Sequence, residues 1–128
     1  MAIRIVRLGS ARQRGEGLRL GTVRHPPRGV PKARHAEQNW YDVWVPELAP
    51  SAALVKRAQT PGSERDWSTF VKRYRREMAA PAQVRLLRLL AALSAATDLS
   101  VGCYCADESR CHRSVLRVLL AEQGAVVV

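Results

Sequence analysis

The chain has 128 residues, with 21 Lys or Arg against 11 Asp or Glu and a formal net charge of +10 at pH 7. This length suits one domain that buries its own hydrophobic core without a disulfide or metal. No run approaches the ~20 consecutive apolar residues of a membrane-spanning helix, and the N-terminus lacks the apolar run of a secretory signal. We therefore expect a single domain over residues 1–128, located in the cytoplasm and without a membrane partner.

The positive charge has two explanations that the sequence leaves open. Long-range attraction to anionic partners, nucleic acid among them, is one. The other is a GC-rich genome that favours Arg and Ala codons, in which case the charges form a solvated surface. The basic residues are spread along the chain rather than gathered in one tail, so charge alone does not decide between them.

The first half of the chain reads as short strands separated by loops. Residues 3–8 and 18–23 have the composition of strands, and residues 40–48 alternate like a third strand that Pro46 ends early. The segment between the second and third strands contains three prolines, which bar a helix. This loop carries Arg24 and Arg28, and we expect it to bind ligand.

The second half alternates helices and strands. Predicted helices lie at 50–58, 67–79, from Pro81 and at 111–123, and predicted strands at 99–105 and 125–128. Residues 60–63 read as a breaker, and Asp66 is the predicted N-cap of the second helix. The order predicts an α/β fold: a small single-domain three-layer or Rossmann-like sheet with flanking helices.

The most site-like segment runs from residue 103 to 114. In α/β sheets, ligands settle at the carboxyl ends of strands, where helix N-termini present free N–H groups. Our preferred interpretation is that Arg113, Ser114 and these N–H groups bind phosphate or carboxylate. If the proline-containing loop converges on them, Arg24, Arg28, His112 and Arg113 form one basic pocket.

Two further interpretations of this segment stay open. Cys111 or Cys105 would be a reactive thiolate at the helix N-terminus, and Cys111 and His112 are then the candidate catalytic residues. A metal site would use four residues: Cys103, Cys105, Cys111 and His112. Their spacing lacks the usual zinc knuckle, so we expect no metal and no other cofactor. Cys103 and Cys105 are then buried strand residues.

The motif C-Y-C-A-D-E-S-R-C-H-R-S at residues 103–114 resembles the C-terminal signature of the bacterial family called domain of unknown function 488. Residues 24–30 resemble its Arg-Gly loop, residues 40–54 its Trp-containing segment, and residues 70–78 its Phe-x-x-x-Tyr helix. The resemblance implies an α/β fold and a cytoplasmic bacterial protein, but no activity. His25-Pro26 stands where the family has Leu-Trp, and Cys103 with Cys105 where it has a single Cys.

From these observations we expect a domain that binds or processes a phosphate-bearing ligand, either a nucleotide or nucleic acid, with Arg28, His112, Arg113 and Ser114 at its pocket. The alternative is a non-catalytic basic module that binds nucleic acid or an acidic protein. Phosphate-loop, dinucleotide and hydrolase signatures are absent from the sequence, so whether it is an enzyme stays open. Trp40 and Trp44 are interpreted as core or interface residues, with stacking on a base as the alternative.

Overall fold

Four parallel strands form one sheet in the order β1-β4-β2-β3. The structure is a computed structural model, which describes residues 1–58 and 62–128. The strands are β1 (Ile3–Arg7), β2 (Leu18–Gly21), β3 (Val43–Trp44) and β4 (Leu99–Cys103). All five residues of β4 are buried, because this central strand is covered on both faces and paired on both edges. The predicted α/β fold is confirmed.

The helices follow the predicted order. They are α1 (Ala52–Ala58), α2 (Glu64–Met78), α3 (Pro81–Ser94) and α4 (His112–Glu122). Pro81 occupies the first turn of α3, where its missing N–H costs nothing. No helix within the described residues is long and apolar enough to cross a membrane.

All five predicted strands are longer than the observed ones, and the third and the last differ most. The third has two residues, because Pro46 opens a 3-10 turn over Pro46–Leu48. The last is a single bridge between Val127 and Ile3. Of the predicted breaker at 60–63, residues 60 and 61 lie outside the described residues.

The core lies between the sheet and the apolar faces of α2, α3 and α4. The predicted face of α2 supplies Phe70, Tyr74 and Met78 to it. From α4 come Leu116 and Leu120, which have no accessible surface. The start of α4 is therefore fixed against the carboxyl end of β4, where the candidate site lies.

A buried ion pair, which the sequence did not predict, links β2 to the segments beside it. Arg19, in β2, has no accessible surface and donates from Nη2 to Glu16 Oε1 at 2.7 Å. Its Nη1 donates to the carbonyl oxygens of Ser10 at 3.0 Å and Asn39 at 2.7 Å. The guanidinium therefore joins the loop after β1 to the segment before β3.

The N-cap of α2 is Ser63, and the prediction of Asp66 was wrong. Asp66 is the third helical residue and completes a capping box, in which its carboxylate accepts from the Ser63 N–H at 3.0 Å. The Ser63 hydroxyl accepts from the Asp66 N–H in return, at 3.3 Å. The pattern of an acidic residue three positions after a serine was present in the sequence.

Ser63→Ala is expected to lower the free energy of unfolding by about 1 kcal/mol, because the helix loses its capping oxygen. Urea unfolding followed by circular dichroism measures this. Ser68→Ala is the matched control, since Ser68 is an exposed residue inside the same helix. Equal midpoints for both variants would contradict the capping assignment.

Candidate functional site

The carboxyl ends of β1, β2 and β4 meet at one edge of the sheet, because these neighbouring strands are parallel. A cavity of about 710 Å³ opens there, within the usual size range of small-molecule sites. We call it the carboxyl-edge cleft. Its lining residues are Arg7, Leu8, Gly9, Ser10, His25, Pro26, Pro27, Arg28, Trp40 and Tyr104.

Two aromatic rings form part of the cleft wall. Trp40 and Tyr104 pack edge to face, with ring centroids 5.8 Å apart and an interplanar angle of 76°. The Tyr104 hydroxyl donates to the His25 carbonyl at 2.9 Å, which joins the end of β4 to the proline-containing loop. Gly9, at φ 89°, allows Trp40 to approach, because a Cβ there would lie 2.8 Å from the indole ring. The aromatic wall is thus held by contacts from three segments.

The cleft is positively charged. Arg7 and Arg28 are both exposed, and none of the lining residues is acidic. Within residues 1–58 and 62–128, neither arginine forms an ion pair. Arg7 makes one weak bond, from Nε to the Tyr104 carbonyl at 3.4 Å. Both guanidinium groups therefore keep donors for an anion.

A second group of reactive side chains lies where β4 ends and α4 begins. Cys103 is the last residue of β4, Cys111 is the N-cap of α4 and His112 is its first residue. All three are buried, and their ligand atoms lie within 4.8 Å of one another. We call these three residues the thiol–imidazole cluster.

The tautomer of His112 follows from its hydrogen bonds. Nε2 lies 2.7 Å from the Thr22 carbonyl oxygen, which only accepts, so Nε2 carries the proton and donates. Nδ1 is left with its lone pair, 3.7 Å from Cys111 Sγ. Burial disfavours the imidazolium and lowers the pKa of His112 to about 4. The imidazole is therefore neutral at physiological pH.

Cys105 differs from its two neighbours. It was expected to be a buried strand residue, but β4 ends at Cys103 and Cys105 is exposed in the following loop. Hydrogen bonds from the thiols of Cys103 and Cys111 lower the pKa of Cys105, and the positive charge of Arg113 acts in the same direction. Interaction with Cys105 raises the pKa of Cys103, as does burial. Of these two thiols, Cys105 is the one that ionises first.

The other predicted ligand-binding residues bond to backbone carbonyls. Arg24 donates from Nε to the Pro50 carbonyl at 3.0 Å and from Nη2 to those of Pro46 and Ala49. Arg113 donates from Nη2 to the Cys105 carbonyl at 2.6 Å. The Ser114 hydroxyl donates to the Cys111 carbonyl at 2.9 Å.

The four residues of the predicted basic pocket therefore do not line one cavity. Arg28 lines the cleft, Arg24 lies against the chain between β3 and α1, and His112 and Arg113 lie together at the start of α4. Roles of these residues in ligand binding or catalysis stay predictions.

Comparison with known protein families gives one match that covers most of the chain. A family model described as the active DUF488-N3 subclade matches residues 3–124. The chain belongs to the DUF488 family. No curated protein and no solved structure matches it. The family resemblance predicted from the sequence is confirmed by this match.

Sequence reasoning gave no cleft role to Arg7 or Tyr104 of this DUF488 protein. Trp40 was interpreted as a core or interface residue, with stacking on a base as the alternative. The available signal was position, since Arg7 ends β1 and Tyr104 directly follows β4. Trp40 carries no such signal, because the chain folds back to bring it beside Gly9.

Proposed function

We propose that the carboxyl-edge cleft binds a phosphate-bearing ligand, either a nucleotide or the end of a nucleic acid. One observation carries the proposal: two arginines without acidic partners line the same cavity as the ring of Trp40. A guanidinium group donates two parallel hydrogen bonds to a phosphate. An indole ring offers a flat apolar face on which any base can stack.

The position of the cleft supports this function. Ligands of open parallel sheets bind outside the carboxyl ends of the strands, and the cleft lies between the segments that follow β1, β2 and β4. We limit the proposal to binding, because neither Cys111 nor His112 lines the cleft.

A basic surface without a specific pocket is the competing explanation. Helix α2 carries the exposed residues Lys72, Arg73 and Arg76. Their charges would attract nucleic acid regardless of its nucleotide sequence. Such binding neutralises many phosphates and weakens steeply as salt rises, whereas a pocket that grips one phosphate is less sensitive. Salt dependence therefore separates the two explanations.

Arg28→Ala is expected to weaken nucleotide binding roughly 10- to 100-fold, because it removes a charge-assisted hydrogen bond to phosphate. Isothermal titration calorimetry with 5′-nucleoside monophosphates, and with a short 5′-phosphorylated single strand, measures this at low and at physiological salt. Arg28→Lys keeps the charge but not the paired donors, so it should restore only part of the affinity.

Arg73→Ala is the matched control, since it removes an exposed arginine that does not line the cleft. It should leave nucleotide affinity unchanged. Equal losses in both Ala variants, with steep salt dependence, would favour the basic-surface explanation. Failure of the wild-type protein to bind any of these phosphate compounds would overturn the proposal.

A further inference from the structure

Three buried side chains of the kinds that bind metals converge at one point of the fold. A zinc ion bound at about 2.0–2.3 Å by nitrogen and sulfur holds its tetrahedral ligand atoms roughly 3.3–3.8 Å apart. Cys111 Sγ and His112 Nδ1 are 3.7 Å apart, and the thiol–imidazole cluster as a whole lies within 4.8 Å. We infer that this cluster is a zinc site, with Cys103, Cys111 and His112 as three ligands and Cys105 as the fourth.

The fold removes the objection raised by the sequence spacing. A zinc knuckle brings its ligands together within one short turn, and this chain has none. Here, instead, the last residue of β4 and the N-cap of α4 lie side by side, joined by the loop of residues 104–110. Cys105 lies in that loop, two residues after Cys103, and is exposed. It is therefore placed to close the coordination shell from the solvent side.

His112 makes the hydrogen bond that is usual for a metal-binding histidine. Metal-binding histidines commonly donate their second ring N–H to a carbonyl or carboxylate, which fixes the ring and its tautomer. His112 Nε2 does this to the Thr22 carbonyl, which leaves the Nδ1 lone pair directed toward the thiols. Thr22 is itself held to β4, since its N–H and its hydroxyl both donate to the Gly102 carbonyl.

Arg113 gives an independent reason to expect an anionic centre. Its side chain is buried, its Nε has no hydrogen-bond partner, and it forms no ion pair within the described residues. A buried charge without a counter-charge is strongly unfavourable. Zinc bound by three thiolates and a neutral imidazole carries net negative charge, which Arg113 would neutralise.

Metal binding is tested on the full-length protein, reduced, stripped with a chelator and titrated with zinc alone. One tightly bound zinc per chain is expected. As zinc–sulfur bonds form, the thiol protons leave to solvent. Cobalt in place of zinc should give thiolate-to-cobalt charge-transfer absorption and the intense visible bands of a tetrahedral site. No zinc retained against a weak chelator, or an octahedral cobalt spectrum without those charge-transfer bands, would overturn the inference.

Cys105→Ser is the informative variant, because Cys105 is exposed and its replacement leaves the core intact. Loss of a residue that only hydrogen-bonds to a metal ligand lowers metal affinity about 10- to 100-fold. Loss of the ligand Cys105 should lower zinc affinity by more than that. His25→Ala is the control, since His25 is not in the cluster and should leave zinc binding unchanged. Unchanged zinc affinity in Cys105→Ser would overturn the assignment of the fourth ligand.

Alkylation gives a readout that does not depend on any variant. Iodoacetamide should modify Cys105 in the zinc-free protein, with mass spectrometry locating the adduct, and added zinc should protect it. Equal modification with and without bound zinc would contradict ligation by Cys105. Nucleotide binding is measured separately, so failure of this inference and failure of the cleft proposal are distinguishable.

Discussion

Glu16→Ala is expected to lower the free energy of unfolding by about 3–5 kcal/mol, because it leaves the buried guanidinium of Arg19 without its counter-charge. The Glu16 carboxylate accepts from Nε and Nη2 of Arg19 at 2.7–3.0 Å. It also accepts from the backbone N–H of Gln13 at 2.6 Å. A loss of this size is a large fraction of the stability of a small domain.

Denaturant unfolding of this variant should be compared with that of Glu122→Ala. Glu122 pairs with Arg75 at 2.9 Å on the protein surface, where both side chains are at least 40% exposed. Loss of that pair should cost no more than about 1 kcal/mol. If Glu16→Ala were as stable as Glu122→Ala, the buried pair would not have the structural role assigned to it.

The same substitution should also affect the carboxyl-edge cleft. Arg19 donates to the carbonyls of Ser10 and Asn39, which lie in and beside the cleft. Without Glu16 the guanidinium loses three of its five hydrogen bonds, so it holds these two segments less firmly. Stability of the fold and geometry of the cleft are coupled through this one side chain.

Tyr74→Ala is expected to destabilise the protein by about 3–5 kcal/mol, because it removes an aromatic ring from the centre of the core. Tyr74 has no accessible surface, and its ring lies 5.5 Å from that of His112 and 6.2 Å from that of Phe70. Its hydroxyl donates to the Leu48 carbonyl at 2.7 Å.

Tyr74→Phe separates packing from hydrogen bonding. It keeps the ring and removes only the donor, so the expected loss is about 1 kcal/mol. Leu89→Ala is the control on α3, since Leu89 is 55% exposed and its truncation should change stability little. A Phe variant as unstable as the Ala variant would mean that the hydrogen bond, rather than the ring, holds this part of the core.

Local patterns predicted most of the fold. The apolar spacing of Phe70, Tyr74 and Met78 is a property of one helix, and Pro81 marks the start of the next one regardless of tertiary contacts. The third predicted strand, at 40–48, does end before Pro46 as expected, but it begins only at Val43. The strand predicted at 125–128 was wrong, since only Val127 pairs with β1, through one bridge to Ile3.

The candidate site was harder to predict because it depends on strand order. Arg7 and Tyr104 are neighbours only since β1 and β4 pair, which no local pattern indicates. Glu16 and Arg19 looked like ordinary polar residues of a turn and a strand, although the fold buries both.

The convergence of Cys103, Cys111 and His112 was hidden for the same reason, since a strand end and a helix start bring these side chains together.

The carboxyl-edge cleft as the ligand site is the central claim, and amide chemical-shift mapping tests it most directly. Uniformly ¹⁵N-labelled protein would be titrated with a 5′-nucleoside monophosphate at physiological salt. The largest shifts are expected at the backbone amides of Gly9, Ser10 and Arg28 and at the indole N–H of Trp40, which line the cleft. Shifts concentrated on the basic face of α2, with these four signals unmoved, would contradict the claim.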